Sequence, residues 1–292
     1  MSHLPEIHMP AHTQDLTDAS LSTWHDTHHR TMWYYMHAQP RPCFSPALLS
    51  ELASFRDDMA HRLDDPQDAG IDYMVLASRV PGIFNLGGDL ALFRALVEAG
   101  DRQALSDYAY ACIDMLWTNI SGIDGRDITT ISLVQGDALG GGFEGAMSAH
   151  VLVAERSARM GLPEILFNLF PGMGAYSLLS RKLDPVRAER LILSGQIYTA
   201  EALHEMGVVD ILTEDGEGER AVYEYIAREN KARNGFRALR AAKRVSNPVT
   251  RQELSDITEI WVDAALRLRL RDLRMMERLL ARLSARSSRN AA

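Results

Sequence analysis

Cysteine is scarce in this chain of 292 residues, where Cys43 and Cys112 are the two present. Their spacing describes neither a metal site nor a disulfide framework, so two separate reduced thiols are expected. Long apolar runs are missing as well. The longest falls far short of the roughly eighteen residues that a membrane span needs, and the N-terminal residues lack a basic-then-apolar signal layout. A cytoplasmic protein without a membrane span is the expectation. Positive charge is not in excess: 31 basic against 39 acidic residues leave a net charge of −8, which argues against nucleic acid as a general partner. No sequence repeat is visible. What the chain does have is 46% hydrophobic residues, ample for one large α/β core with an appendage.

The stretch ISLVQGDALGGGFEGAM, Ile131 to Met147, organises the rest. Its apolar strand breaks at Gly136, passes Gly140, Gly141 and Gly142, and continues through Glu144 into small residues suited to a buried helix. Residues without Cβ let backbone approach a ligand closely. Free N–H groups at a helix N-terminus favour an oxygen that is gaining negative charge, so such a turn can polarise a carbonyl. A glycine run alone equally suits a linker or close helix packing, and further features must decide. VPGIFNLGGDLALF, Val80 to Phe93, supplies a second strand ending in a glycine turn, Gly87 and Gly88, with Asp89 placed as a helix cap. Two such turns can form a two-donor oxyanion hole. In MGLPEILFNLFPGMGAY, Met160 to Tyr176, Glu164 stands in an apolar run where its pKa should rise, as suits a general acid or base.

With these motifs the chain resembles the crotonase (enoyl-CoA hydratase/isomerase) superfamily: the turn Asn85 to Asp89, the GxxxGGGxE pattern Gly136 to Glu144, and the pair Pro163, Glu164 fall in the family's order. The resemblance implies a crotonase-like α/β spiral of repeated ββα units with a C-terminal helical region. It implies oxyanion donors at the N–H groups of Gly88 and Gly141, and Glu144 and Glu164 as the catalytic pair, with no cofactor and no metal. Within the superfamily, FNLGGDLALF, VQGDALGGGFE, MGLPEILFNLFPGMGAYS and ITEIWVDAA resemble the diffusible signal factor synthases. That likeness implies dehydration of a 3-hydroxyacyl group on acyl carrier protein to a cis-2-enoyl group, then thioester hydrolysis releasing the free acid. The alternatives are an ordinary enoyl-CoA hydratase acting on CoA thioesters, or a regulatory binding partner of a sensor kinase. A homo-oligomer, trimer or hexamer, is also implied by the resemblance.

Taken in order, residues 1–30 form a polar arm carrying His3, His8, His12, His25, His28 and His29, residues 31–215 the spiral core, and residues 216–292 a helical region that covers the acyl site or a subunit interface. TMWYYMH, from Thr31, has strand character. Ser45 and Pro46 open a helix. Leu92 to Val97 and Leu105 to Ile120 read as helices joined around Gly100 and Asp101, and strands are expected at His150 to Glu155 and Val208 to Leu212. Met173, Tyr176, Trp261 and Leu279 are the candidates for an acyl pocket, with plain packing as the competing role. Ile257, Trp261, Ala264, Leu268, Met276, Leu280 and Leu283 trace one helical face at the C-terminal end. Eight arginines between Arg267 and Arg289, and a second cluster from Arg228 to Arg244, make this third of the chain basic. Such a patch suits an acidic carrier protein, or is simply a solvated surface.

Overall fold

The computed structural model describes residues 19–37, 41–65 and 70–279. A hairpin of β1 (Leu21–Asp26) and β2 (Thr31–Met36) leads into α1 (Pro46–Asp64), capped by the Ser45 hydroxyl with Pro46 in its first turn. Three similar units follow. The first is β3 (Tyr73–Ser78), β4 (Ile83–Asn85), α2 (Leu90–Ala99) and α3 (Arg102–Gly125); the second is β5 (Thr129–Val134), β6 (Asp137–Leu139) and α4 (Gly141–Met147). The third is β7 (Val151–Glu155), β8 (Arg159–Gly161), a 3₁₀ turn (Pro163–Phe167) and α5 (Ala175–Lys182). Each unit lays its first strand in a six-stranded sheet, order β1-β2-β3-β5-β7-β10, and its second in a four-stranded sheet, order β4-β6-β8-β9. The chain therefore winds between two sheets as a spiral of ββα units. After α6 (Pro185–Ser194), the short β9 (Ile197–Thr199), α7 (Ala200–Glu205) and β10 (Ile211–Thr213) finish both sheets.

Side-chain alternation sets the layers. On β2, Met32, Tyr34 and Met36 face the interior shared with α1, α3 and α4, whereas Trp33 and Tyr35 join a second apolar layer on the sheet's other face. With both faces covered, β2 is buried at all six residues, which is why it reads as a continuous apolar run rather than an alternating one. The outer layer is closed by α8 (Gly218–Lys231) through Val222, Tyr225 and Ile226.

Several boundaries depart from the expectations. The polar arm ends earlier than residue 30: Leu21 to Asp26 pair antiparallel with β2, in the register Leu21 to Met36. An edge strand needs few apolar side chains, and the N–H groups of Ser20 and Leu21 are held by the Glu51 carboxylate. His3, His8 and His12 lie outside the described residues. His150 and Val208 to Asp210 precede their strands, which start at Val151 and Ile211. The C-terminal region is not one cover either, because α8 belongs to the core. α9 (Arg233–Ser246) has no buried residue; Arg233 and Arg240 turn their charges inward to the buried Asp72 and Glu229, and Arg237 pairs with Asp127 at the surface. α10 (Arg251–Ala265) and a helix over residues 270–279 are separated by non-helical residues, so the expected continuous face is broken there. Leu280 and Leu283 fall outside the described residues. Among the described residues, no helix is long and apolar enough to cross a membrane.

Candidate active site

Both glycine turns end at one cavity. The first follows β4, where buried Asn85 accepts the Gly87 N–H on its Oδ1 at 2.8 Å and so folds the chain back on itself. Gly87 has φ +91°, a conformation that L side chains rarely adopt. Its carbonyl accepts from Phe44 N–H at 2.8 Å. Tyr108, reaching in from α3, accepts from Asp89 N–H and donates to the Phe44 carbonyl, each at 2.7 Å. The N–H of Gly88, between these anchored neighbours, makes no hydrogen bond among the described residues. Asp89 caps α2 by accepting from Ala91 and Leu92.

The second turn follows β6. Gly140 (φ +54°) precedes α4, whose first residue is Gly141, so the Gly141 N–H has no acceptor one turn back within the helix. The two turns touch. A Cβ added at Gly87 would lie 3.1 Å from the Gly141 nitrogen, and one added at Gly141 would lie 3.6 Å from the Gly88 nitrogen. Two N–H groups on glycine backbones thus come together at a helix N-terminus, with the Met173 sulfur beside them, 2.5 Å from where a Cβ on Gly141 would lie. The helix has only two turns, so its dipole adds little and the N–H groups themselves are the donors.

Glu144 lies at the end of the first turn of α4 and is 1% exposed. Its Oε1 accepts two N–H bonds, from Met173 and Ala175, both at 2.8 Å, so the loop before α5 fixes this carboxyl in place. Glu164 stands in the first turn of the 3₁₀ segment that Pro163 opens. One oxygen rests against the Gly140 α-carbon, where a Cβ would come within 2.5 Å. The other, Oε2, is buried and has no hydrogen-bond partner among the described residues. Both carboxyls titrate well above the usual range because burial penalises the charged form, and at Glu144 the neighbouring Glu164 charge adds to the effect. They share a protonation equilibrium and titrate as a pair. Two carboxyls held above the usual range can serve one as acid and the other as base in one place.

The cavity is otherwise apolar. Leu86, Leu90, Phe93, Phe167 and Leu169 line it beside the glycines and glutamates. Met173, Trp261 and Leu279 line it as well. Trp261, from α10 of the same chain, lies flat on Gly172, where a Cβ would meet its ring at 2.3 Å, and against Phe93 at 5.4 Å between ring centres. Tyr176 is not brought there: it is 43% exposed on the outer side of α5 and is absent from the lining. The reason is helical phase, since Ala175, Ser177, Leu178 and Leu179 are the buried residues of α5 and Tyr176 lies in the gap between them on the helix circumference. Cys112 also lines the cavity, but burial pushes its thiol to about 12, so it stays protonated; both cysteines are free.

Sequence reasoning alone did not mark Tyr108 and Asn85 as supports. Asn85 carries a local signal, a short amide two residues before a glycine. Tyr108 carries none, since it acts on a turn 19 residues away through its hydroxyl.

The fold and the site define an α/β protein in which two backbone N–H donors and two carboxyls with raised pKa values face one apolar cavity, an arrangement that can polarise a carbonyl and move protons. The model of the enoyl-CoA hydratase/isomerase family matches residues 45–260, and the chain belongs to that family. A probable enoyl-CoA hydratase of Bacillus subtilis is 27% identical over 180 residues, 62% of this chain and 64% of its own length. The chain spans less than two thirds of the curated relatives it matches. Among solved structures, an enoyl-CoA hydratase from Bacillus halodurans superimposes with a TM-score of 0.73 at 18% identity, covering 89% of this chain and 99% of that one. DspI from Pseudomonas aeruginosa gives a TM-score of 0.60 at 23% identity, covering 84% of this chain and 95% of its own. These two likenesses speak to the fold.

Proposed function

We propose that the protein makes a cis-2-unsaturated fatty acid by dehydrating a 3-hydroxyacyl thioester on acyl carrier protein and then hydrolysing the thioester. One observation carries the reading: a buried pair of carboxyls, one fixed by two N–H donors and one with a bare oxygen, beside two unused backbone donors. With the thioester oxygen between Gly88 and Gly141, negative charge on the developing enolate is stabilised and the C2 proton is acidified. The ionised carboxyl takes that proton. The protonated carboxyl gives its proton to the 3-hydroxyl, which leaves as water while the C2–C3 double bond forms, and the pair again holds one proton. In the second step the same donors stabilise the tetrahedral anion as water, deprotonated by a carboxylate, attacks the thioester carbon. The carrier's thiolate leaves and takes up that proton. The apolar walls formed by Phe93, Trp261 and Leu279 suit a medium or long acyl chain.

A second reading is favoured by the names of the relatives: an enoyl-CoA hydratase would use the same constellation on CoA thioesters and leave the thioester intact. Mass spectrometry of the protein incubated with 3-hydroxydodecanoyl-carrier protein, and separately with the CoA ester, decides between them. Free cis-2-enoic acid from the carrier substrate supports synthesis of the acid. Enoyl thioester without release, or turnover of the CoA ester alone, replaces that reading with the hydratase.

A further inference from the structure

A second cavity, of about 540 Å³, lies away from the glycine turns, between the C-terminal part of α3, the end of α4, α5 and the end of α9. Its walls divide by chemistry. Trp117, Ile120, Met147, Leu178 and Val249 give it an apolar side. Arg181, Lys182, Arg240, Lys243 and Arg244 line it with cations. Three of these are neutralised within the chain: Arg181 by Glu253 at 2.7 Å, Lys182 by Asp210 at 2.8 Å and Arg240 by Glu229 at 2.7 Å. Lys243 and Arg244 make no ion pair among the described residues, and the single acid of the lining, Asp124, lies 3.9 Å from Arg126. Positive charge is left over at the rim of an apolar hollow.

His150 reports the same field. Its Nδ1 accepts from Thr130 N–H at 3.1 Å, which puts the proton of the neutral ring on Nε2. Burial, and then the nearby Arg240, Arg244 and Lys243, hold the ring down at about 4. It stays neutral. A charged hollow with an apolar wall does not suit a small hydrated ion, whose favourable contacts would all lie at the rim, nor a neutral hydrocarbon, which would leave the cations unanswered.

We propose that this cavity binds an amphiphilic monoanion, a fatty carboxylate, with its hydrocarbon against Trp117, Met147 and Leu178 and its carboxylate at Lys243 and Arg244. The site is coupled to the catalytic pair through two elements. Met147 ends α4, the helix that carries Glu144, and Leu178 lies on α5, whose Ala175 N–H holds the Glu144 carboxyl. An occupant therefore touches the helix that carries that carboxyl and the helix whose first residue binds it, and a free fatty acid would act back on the reaction that releases it. Binding at the cavity is independent of the reaction proposed above; the feedback rests on it.

The test is calorimetric titration of the full chain with dodecanoate, dodecanol and inorganic phosphate, repeated on the double variant K243E/R244E. Both substituted side chains are exposed, so the variant should keep its fold and its turnover of a short enoyl thioester. The expected result is that the variant loses one dodecanoate site that the unsubstituted protein has, through at least a roughly tenfold fall in affinity. Dodecanol and phosphate should both fail to fill that site. Unchanged dodecanoate stoichiometry and affinity in the variant would overturn the proposal, as would phosphate occupying the lost site as tightly as dodecanoate. A protein without dehydratase activity that still loses the site would refute the proposed function and leave the binding site standing.

Discussion

The Glu164 carboxyl fills the space where Gly140 lacks a Cβ, and that spacing turns a one-carbon change into a test of the proposed catalytic geometry. Gly140→Ala places a Cβ 2.5 Å from the Glu164 oxygen, at φ +54° where an L residue is strained. The carboxyl is the mobile partner and must move. Turnover should fall by roughly 10²-fold, with KM changing much less, because misplacing a catalytic group by about an ångström costs that much; steady-state kinetics on the enoyl thioester checks it. The carboxyls themselves link activity and stability in opposite directions. Glu144→Gln or Glu164→Gln should each lower the rate by about 10² to 10⁴. Both carboxyls bind protons more tightly folded than unfolded, so the folded state loses stability as pH rises from the ordinary carboxylate range through the raised values. A glutamine does not ionise. Each variant should therefore unfold at a higher temperature than the parent at pH 8, by roughly 2–4 °C for each kcal/mol relieved, and at a similar temperature at pH 4. Equal melting temperatures at pH 8 would mean that folding does not hold these carboxyls above the ordinary range.

At the scale of elements, α10 and the helix over residues 270–279 form the wall of the acyl cavity. Their surface ion pairs, Arg102 to Glu259 at 2.6 Å and Arg102 to Asp263 at 3.1 Å, are exposed and contribute little individually. The hold comes from Val262, Ala265, Leu273 and Met276 buried against Phe93, Val97 and Leu105. Trp261 is the member of this wall that faces the cavity. Trp261→Ala should remove the contact with the outer methylenes of a bound chain, lowering kcat/KM for a twelve-carbon thioester about tenfold relative to a four-carbon one; an unchanged ratio would show that the chain runs elsewhere. Local signals made much of this layer legible. Ser45, Asp89, Gly100 and Asp101 each mark a helix end in the structure, since capping depends on residues within one turn. Periodicity also identified an apolar helical stripe at the C-terminal end. Periodicity does not say what an apolar face touches, so the place of α8 on the outer face of the sheet and the outward direction of Tyr176 on α5 were not legible from it.

On the scale of the whole molecule, the spiral brings turns from two separate units to one point, and that meeting is not encoded in either turn alone. It was legible only through the resemblance to the enoyl-CoA hydratase/isomerase family, in which two glycine turns and two glutamates fall in this order. The edge strand β1 was not, because backbone pairing and Glu51 hold it rather than an apolar pattern. Charge is the remaining global property. The chain is acidic overall at −8, yet Arg267, Arg269, Arg271, Arg274 and Arg278 cluster next to Leu279 at the cavity wall, and Arg274 and Arg278 are exposed and make no ion pair among the described residues. In the cluster from Arg228 to Arg244, by contrast, Arg233, Arg237 and Arg240 are paired with acids of this chain, so Arg274 and Arg278 are the cations beside the cavity wall to test for recognition of an acidic carrier protein. If the carrier docks there, R274E/R278E should lower kcat/KM for a carrier-borne substrate about tenfold, and raising the ionic strength from 0.05 to about 0.5 M should weaken the parent protein similarly, since screening shortens to a few ångströms. The matching thioester of free pantetheine carries no protein charge and should be turned over equally by both proteins at both salt concentrations. Equal losses for the two substrates would place the arginines in the folding of the wall rather than in recognition of the carrier.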